Sequence, residues 1–283
     1  MSVEKPEACL YAAMTSPAES HDRLLHELVA PVVAEIREHP DLDSLFFVRY
    51  ADPEWQLRFR VLGRPEWVDG FVRPRVEKAL RPFVASGAIG EVVWGEYARE
   101  WERYGGPAGM RLAEKIFFHD SVACLEFLES EKVPRREYSL VFTERFLDLF
   151  HFDDAQRTAF YRTGHEWAFR DGVFRDEDRP KLERRYDGMR DGLRERVLTF
   201  GDETARAIAG RCLEATRPVV DELLAAHAAG HVQKDLVDLA WSYTHLHCNR
   251  LGIDVVPEAI LRYLMYRLYA EGGLRPPSAR QTR

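Results

Sequence analysis

The apolar positions of this chain follow two different periods, one in the first hundred residues and another after about residue 108. Short apolar or alternating runs predict β-strands, and they cover residues 9–14, 43–50, 54–63 and 88–97. The middle two runs flank the sequence ADPE, so they predict a hairpin with a proline-containing turn. Apolar residues at helical spacing predict two helices among these strands, at 20–38 and 66–86.

After residue 108, nearly every segment carries the helical spacing. The predicted helices cover 108–131, 137–150, 154–170, 177–198, 202–228, 233–251 and 256–271. We therefore expect an α+β fold, with a small antiparallel sheet in the N-terminal third followed by a mostly helical C-terminal part. Residues 1–270 are expected to form a single domain, and residues 271–283 a flexible tail.

One predicted strand carries an unusual charge pattern, because two arginines alternate with apolar residues in the sequence LRFRV at 57–61. In an extended strand the three apolar residues share one face, and Arg58 and Arg60 share the other. Neighbouring cations repel each other, whereas the planar fork of arginine suits a carboxylate or a phosphate. With Arg49 nearby, the hairpin is therefore a candidate anion site, although a solvated strand face with acidic partners explains the pattern as well.

A second candidate segment is EYAREWERYGGPAGM, at residues 96–110, where charged residues precede a Gly-Gly-Pro turn. Such a turn lets a ligand approach the backbone closely. Glu100 and Arg103 are three residues apart, so they share a face if the segment is helical. An ordinary surface ion pair followed by a loop is the other interpretation.

A third candidate segment is SYTHLHCNRLG, at residues 242–252, within a predicted helix. His245 and Asn249 are one helical turn apart, so the amide could orient the imidazole ring. Histidine is the usual acid or base near neutral pH. His247 lies nearer the apolar stripe, and a buried structural histidine is the other interpretation for either ring. The two histidines face apart on a helix, which disfavours a joint metal site.

Composition and charge narrow the classes of protein that remain. Apolar residues make up 46% of the 283 residues, which supports a packed core and excludes disorder for most of the chain. The net charge of −7 disfavours a general nucleic-acid binder, so no nucleic-acid partner is expected. The four cysteines lack metal-ligand spacing and predict reduced thiols. No signal peptide and no run of about 20 apolar residues is present, so we expect a soluble cytoplasmic protein with no membrane partner.

The three segments in this order resemble one family, the C-terminal elimination domain of class I lantibiotic dehydratases and the free-standing thiopeptide-type bacteriocin biosynthesis proteins. The resemblance rests on FFVRYADPEWQLRFRV, EYAREWERYGGPAGMRLAEKIFFHDS and HLHCNRLG, and it extends from about residue 9 to about residue 270. It implies a lyase that expels glutamate from glutamylated Ser or Thr in a ribosomally made precursor peptide (leader plus core), giving dehydroalanine or dehydrobutyrine. Since the chain is too short for a glutamylation domain, the resemblance implies a split system with a separate glutamylating subunit.

The resemblance also implies roles for individual residues. The catalytic set would be Arg58, Arg60, Arg103 and His245. The substrate-binding set would be Arg49, Glu100, His247 and Asn249, in which Arg49 and Asn249 come from the hairpin and helix patterns and not from the resemblance. Which of the two histidines shuttles the proton depends on helix phase and stays open, with His245 the first choice. We expect the arginines and one imidazole to converge around a common cavity.

β-Elimination is chemistry that such residues suit, because negative charge develops on the peptide carbonyl and the leaving group is itself an anion. Fixed donors aimed at developing charge lower such barriers by roughly 3–4 kcal/mol each. Arg58 and Arg60 would bind the glutamyl group and its leaving carboxylate, and Arg103, held by Glu100, would complete the pocket. No metal, nucleotide or flavin is expected, and a homodimer is compatible with the sequence.

Two other functions fit the same resemblance. The first is a pyridine synthase-like [4+2] cyclisation of two dehydroalanines, which needs enol stabilisation but no glutamate pocket. The second is a non-catalytic subunit that binds the precursor peptide, by adding a strand to a sheet edge. Assays on a glutamylated and on a fully dehydrated peptide would distinguish elimination from cyclisation.

Overall fold

A computed structural model describes residues 7–51, 53–199 and 201–274 of the chain. The chain forms two compact units, with the boundary between Ser130 and Glu131. We call the N-terminal part unit 1 and the C-terminal part unit 2, and each is described by itself. The expectation of a single domain over 1–270 stays a prediction, and residues 275–283 of the expected tail lie outside the described residues.

Unit 1 contains a four-stranded antiparallel sheet in the order β2-β3-β1-β4. Its strands are β1 (Ala8–Thr15), β2 (Leu42–Tyr50), β3 (Gln56–Gly63) and β4 (Val92–Trp94). The predicted hairpin is confirmed as β2 and β3, although Asp52 of its turn lies outside the described residues. The run predicted at 88–97 forms only the short β4, which pairs with Ala12–Met14 of β1.

Besides a 3-10 turn at Ala18–Ser20, the described residues of unit 1 contain three longer helices. They are α1 (His21–Leu24, Leu25–Val29 and Ala30–Ile36), α2 (Pro65–Trp67, Val68–Val72 and Arg73–Ala85) and α3 (Pro107–Ser130). The middle segments of α1 and α2 are π-helical, and each precedes a proline, Pro31 or Pro74. Proline lacks an N–H and its ring collides with the preceding turn of an α-helix, so a wider turn accommodates it. Both predicted helices are confirmed with these local irregularities.

Helix α3 covers the edge of the sheet along β2. The Ser44 hydroxyl donates to the Glu114 carbonyl at 2.6 Å, and the Phe47 amide donates to the Ser121 hydroxyl at 3.4 Å. Phe46 of β2 also meets Phe117 of α3 edge to face, with ring centroids 5.2 Å apart. Because an uncovered edge strand leaves polar backbone groups unpaired, α3 both protects this edge and extends the core.

All regular secondary structure in the described residues of unit 2 is helical. Its helices are α4 (Arg135–Leu149), α5 (Asp154–Arg170), α6 (Arg179–Thr199), α7 (Glu203–Ala228), α8 (Leu236–Arg250) and α9 (Val255–Ala270). Asp153 and Gln156 form a reciprocal cap at the start of α5, and the Asp235 side chain caps α8. The helices predicted after residue 108 are therefore confirmed to within three residues at each end, and the α+β fold is confirmed.

Two of these helices position the residues of interest in unit 2. Helices α8 and α9 are joined by the short connection 251–254, in which Gly252 has a φ of 71°. This left-handed conformation is one that glycine adopts without strain. No helix within the described ranges has a stretch long and apolar enough to cross a membrane.

Candidate functional site

Arg58 and Arg60 lie on the face of β3 opposite its apolar residues, as the alternation predicts. Leu57, Phe59 and Val61 are fully buried. The guanidinium carbon of Arg58 lies 3.4 Å from the centroid of the Tyr50 ring, and its Nε donates to the Gln56 side chain at 3.0 Å. Stacking of this kind holds a cation without neutralising it, so Arg58 keeps its positive charge on this face of the sheet.

Arg60 occupies a box of aromatic rings. It pairs in register with Tyr11 of β1 and Phe46 of β2, and Tyr97 from the loop after β4 closes the box. Its guanidinium carbon lies 4.7 Å from the centroid of the Tyr11 ring, 5.3 Å from that of Phe46 and 5.0 Å from that of Tyr97. We call Arg58, Arg60 and these three rings the sheet arginine site.

No carboxylate or other hydrogen-bond acceptor pairs with the Arg60 guanidinium in the part of the chain that the structure describes, and its buried Nε lacks an acceptor. Burial lowers the pKa of Arg60 from its usual value, because desolvation penalises the charged form. Arginine nevertheless stays protonated at neutral pH. Arg60 is partly buried, and a partly desolvated cation without a counter-ion is costly, so an external anion would stabilise this site.

The acid next to the box, Glu114, is paired with another arginine, Arg99. The Arg99 Nε lies 2.7 Å from Glu114 Oε1, and its Nη2 lies 3.1 Å from Oε2. Arg99 also lies 5.7 Å from the centroid of the Tyr97 ring. Burial raises the pKa of Glu114 from its usual value, although Arg99 opposes the shift. Arg99 engages both carboxylate oxygens of Glu114, and no hydrogen bond or ion pair joins Glu114 to Arg60 within the described residues.

Arg103 and Glu100 form the expected ion pair, but in a loop instead of a helix. The Arg103 Nη1 lies 3.0 Å from Glu100 Oε2, within a turn that spans 101–105. The turn is followed by Gly106, whose φ of 100° is in the left-handed region that favours glycine. Tyr104 contacts Phe117 at 5.3 Å between centroids, which connects this loop to the aromatic rings of the sheet arginine site.

Arg49 is not placed with the other two hairpin arginines. In the register of the hairpin, Arg49 pairs with Leu57, whereas Val48 pairs with Arg58. Arg49 therefore points to the opposite face of the sheet, where its Nη2 lies 2.6 Å from Asp22 Oδ1. Only 8% of Arg49 is exposed. A role in substrate binding for Arg49 stays a prediction that this orientation does not favour.

In unit 2, His245 makes a hydrogen bond to a buried carboxylate. Its Nδ1 lies 2.8 Å from Glu258 Oε2, and its ring stacks on Trp241 with centroids 5.1 Å apart and an interplanar angle of 2°. Glu258 is 2% exposed and also binds the Arg262 guanidinium at 3.1 Å. We call His245, Glu258, Arg262 and Trp241 the histidine site.

The partners of Glu258 in the histidine site favour its ionised form. Burial alone would raise the pKa of Glu258, but His245 and Arg262 outweigh it and lower that pKa below its usual value. Glu258 therefore stays ionised at neutral pH. With a hydrogen on Nδ1, the His245 ring donates to Glu258, and Nε2 is left as the base. A carboxylate that orients a histidine in this way is a recurring arrangement in acid–base catalysis.

The two candidate histidines differ in exposure and in packing. The His245 side chain is 24% exposed. His247 is 1% exposed, and its ring is stacked on Phe142 with centroids 3.9 Å apart. A group that transfers protons to a substrate needs access to it, which favours His245. Asn249 was expected to orient the ring, but Glu258 on the next helix is the residue seen at Nδ1.

Sequence reasoning did not find Glu258, Arg262 or the pairing of Arg99 with Glu114. A signal for two of them was present, because Glu258 is the only charged residue within VVPEAIL and Arg262 follows one turn later. An acid in an otherwise apolar helical stretch indicates a buried partner. Its partner His245 is on another helix, so the spacing along the chain could not identify it.

Comparison with protein families relates the chain to known proteins. The model of the family described as lantibiotic biosynthesis dehydratase C-term matches residues 10–269. The subtilin biosynthesis protein SpaB of Bacillus subtilis is 27% identical over 260 residues, which cover 80% of this chain and 22% of SpaB. The epidermin biosynthesis protein EpiB of Staphylococcus epidermidis is 19% identical over 167 residues, which cover 58% of this chain and 16% of EpiB. The chain therefore spans about a fifth of the length of these relatives.

Three solved structures share the fold. The tRNA-dependent lantibiotic dehydratase MibB from Microbispora sp. 107891 matches 90% of this chain and 27% of its own, with a TM-score of 0.68 and 23% identity. TsrL matches 94% of this chain and 95% of its own, with a TM-score of 0.69 and 20% identity. The pyridine synthase TbtD from thiomuracin biosynthesis matches 93% and 98%, with a TM-score of 0.69 and 15% identity.

Proposed function

Because the chain belongs to the family of lantibiotic biosynthesis dehydratase C-terminal domains, we propose that it is a glutamate-eliminating lyase. Its substrate is a ribosomally made precursor peptide in which a separate subunit has glutamylated Ser or Thr. The observation that carries the proposal is the Arg60 guanidinium, which is enclosed by three aromatic rings and has no acidic partner within the described residues. A glutamyl ester brings the carboxylate that such a site lacks.

The proposed reaction assigns anion binding to the sheet arginine site. Arg60 binds a carboxylate of the glutamyl group, and Arg58, whose charge is not neutralised by an ion pair within the described residues, assists it. Arg103 adds a further positive charge from the loop whose Tyr104 contacts Phe117. Its hydrogen bond to Glu100 holds the side chain in place. As the Cβ–O bond breaks, glutamate leaves with the electron pair, and these cations stabilise the developing negative charge.

The proposed reaction assigns proton transfer to His245. Its Nε2 accepts the proton from Cα while Glu258 stabilises the positive charge that the ring acquires. The electrons of the Cα–H bond form the Cα=Cβ double bond of dehydroalanine or dehydrobutyrine, so the step needs no oxidant. His247, buried against Phe142, remains the less favoured base.

A second candidate function is a pyridine synthase-like [4+2] cyclisation. The observation that favours it is the match to TbtD, which covers nearly all of both chains with a TM-score of 0.69. Cyclisation of dehydroalanines involves no glutamyl carboxylate, so it gives no role to an unpaired Arg60. For that reason we place elimination first.

Two peptides test the proposal directly. The protein is incubated with a synthetic peptide carrying one glutamylated serine and, separately, with a peptide whose serines are already dehydroalanine, and products are followed by mass spectrometry. Loss of glutamate from the first peptide supports elimination. Ring formation in the second supports cyclisation, and binding of either peptide without turnover supports a non-catalytic subunit.

Variants then assign the residues. Arg103→Ala should leave a folded protein on which glutamylated peptide accumulates, because the pocket loses a cation. Arg64→Ala is the matched control, since Arg64 is an exposed arginine of the same unit that pairs with Asp41. Normal dehydration by Arg103→Ala would remove Arg103 from the site without affecting the assignment of Arg60.

A further inference from the structure

A groove of about 230 Å³ lies between helices α4, α6 and α9 of unit 2. Its base is formed by Leu140, Leu193 and Leu264, which are buried. Its walls include Ile260 and Leu261, which are partly exposed. The groove is therefore apolar at its centre and open to solvent.

Three arginines stand around this groove, namely Arg136, Arg185 and Arg196. All three are exposed, and within the described residues none of them forms a hydrogen bond or an ion pair. Glu137 is the one acidic residue among those that line the groove. A local excess of unpaired cations is notable in a protein whose net charge is −7. The rim is thus complementary to an anionic partner.

The apolar surface continues beyond the groove along α9. Val256 is 49% exposed and lies one helical turn before Ile260, so the two side chains share a face. Val255 beside it is 42% exposed. Contiguous exposed apolar residues next to a polar rim are typical of surfaces that bind another macromolecule.

We propose that this groove binds an acidic amphipathic polypeptide segment supplied by another molecule. Its volume is below the roughly 300–1,000 Å³ of a site for a drug-sized ligand, but it accommodates a few anchoring side chains. Helix-in-groove recognition uses such anchors at helical spacing. Acidic residues beside the anchors meet Arg136, Arg185 and Arg196.

The proposal is independent of elimination chemistry, because none of the residues that line the groove belongs to the sheet arginine site or the histidine site. Binding at the groove would hold a polypeptide on the protein and raise its local concentration. A failure of the elimination assay would therefore leave the groove proposal untouched, and the reverse is also true.

The probe is a fluorescently labelled synthetic peptide helix with leucine on one face and glutamate on the other, and binding is measured by anisotropy. We expect saturable binding that weakens with added salt, and roughly tenfold weaker binding of a sister peptide with lysine in place of glutamate. Equal binding of the two peptides, or no saturable binding of either, would overturn the proposal.

Variants locate the binding. Arg185→Glu should weaken binding of the acidic peptide roughly tenfold and strengthen binding of the lysine peptide. Arg184→Glu is the matched control, because Arg184 is an exposed arginine on the same helix that does not line the groove. Equal effects of the two variants would mean that only diffuse charge matters and would contradict the proposal.

A second variant tests the apolar surface of the groove. A second measurement tests whether another copy of this chain occupies the groove. Leu261→Asp should abolish peptide binding while circular dichroism and the melting temperature stay near those of the unaltered protein. Sedimentation shows whether a second copy of this chain occupies the groove instead. A dimer that Leu261→Asp converts to monomer would overturn the assignment to an acidic peptide.

Discussion

Arg60 in unit 1 is partly buried and Arg262 in unit 2 is buried; both lie against aromatic rings, yet their polar partners differ. Arg262 lies over Phe160, donates to the Thr244 hydroxyl at 2.9 Å and binds Glu258 at 3.1 Å. Arg60 lies among three rings and has no carboxylate partner within the described ranges.

The difference suggests how to distinguish structural from functional charge. A buried arginine with an internal acid has its charge satisfied by the fold, and removing the acid leaves an unpaired ion. A buried arginine without one retains an unmet interaction, which a ligand can supply. The comparison predicts that removing the acid of Arg262 costs stability, and that changing Arg60 affects turnover more than stability.

The largest expected effect on stability is that of Glu258→Gln. The change leaves Arg262 buried without its counter-ion, and such losses cost about 3–5 kcal/mol of unfolding free energy. Urea denaturation followed by circular dichroism measures it. The control is Glu27→Gln, which removes an exposed ion pair with Arg23 and should cost at most about 1 kcal/mol. A similar cost for both variants would contradict the proposed dependence of Arg262 on Glu258.

Arg60→Met should slow glutamate elimination by about 10²–10³-fold, as expected for loss of one donor to developing charge. Its unfolding free energy should stay the same or rise, because the change removes a desolvated cation and keeps an apolar side chain in the aromatic box. Single-turnover kinetics and urea denaturation measure the two quantities. A loss of several kcal/mol in stability with normal turnover would make Arg60 structural and would end the comparison.

His21 is a buried residue whose side chain, unlike that of Arg60, can lose its positive charge. Burial first, and then Arg49, lower the pKa of His21 from 6.5 to about 4 in the folded protein. Its contribution to stability is therefore complete above about pH 6.5 and is lost as the pH falls from there to about 4, in total about 3 kcal/mol.

Unfolding measured across this pH range tests the contribution of His21. The variant His21→Phe, which carries no proton to bind, should show a flatter decline in stability than the unaltered protein. Identical pH profiles for the two proteins would indicate that other groups cause the loss.

Arg58→Lys should have the smallest effect, roughly a tenfold loss of turnover on glutamylated peptide. Lysine keeps the charge but lacks both the bidentate fork and the planar group that stacks on Tyr50. Rates equal to those of the unaltered protein would mean that diffuse charge is sufficient at this position. The peptide assay described above measures this loss, with the exposed Arg64→Lys as control.

The alternation in LRFRV was enough to predict which face of β3 carries Arg58 and Arg60, because side chains on a strand have a period of two. The same rule could not place Arg49, since it requires the register between two strands. One residue of difference in that register sends a side chain to the other face. The resemblance to the family pointed to Arg58 and Arg60, and the hairpin pattern added Arg49, but only the paired strands separated Arg49 from the other two.

At the histidine site, too, the sequence predicted one part and only the packed helices decided the other. The sequence predicted a helix through residues 242–252, and it indicated that a histidine in this helix could act as an acid or a base. The choice between His245 and His247 was not predictable, because helix ends predicted from spacing shift by one or two residues and each residue turns the face by about 100°. Glu258 and Trp241 make the difference, one from the next helix and one from the preceding turn.

By itself the sequence determined the elements, their order, the α+β class and the charged face of β3, since all of these follow from short-range periodicity and local backbone preference. Tertiary structure alone decided how the charges that lie far apart in the chain are paired. Glu114 engages Arg99 and Glu258 engages His245 and Arg262, whereas Arg60 is left to the aromatic rings. The physical reason is that ion pairing depends on distances of a few ångströms between residues far apart in the chain, and such distances exist only once the helices and strands have packed.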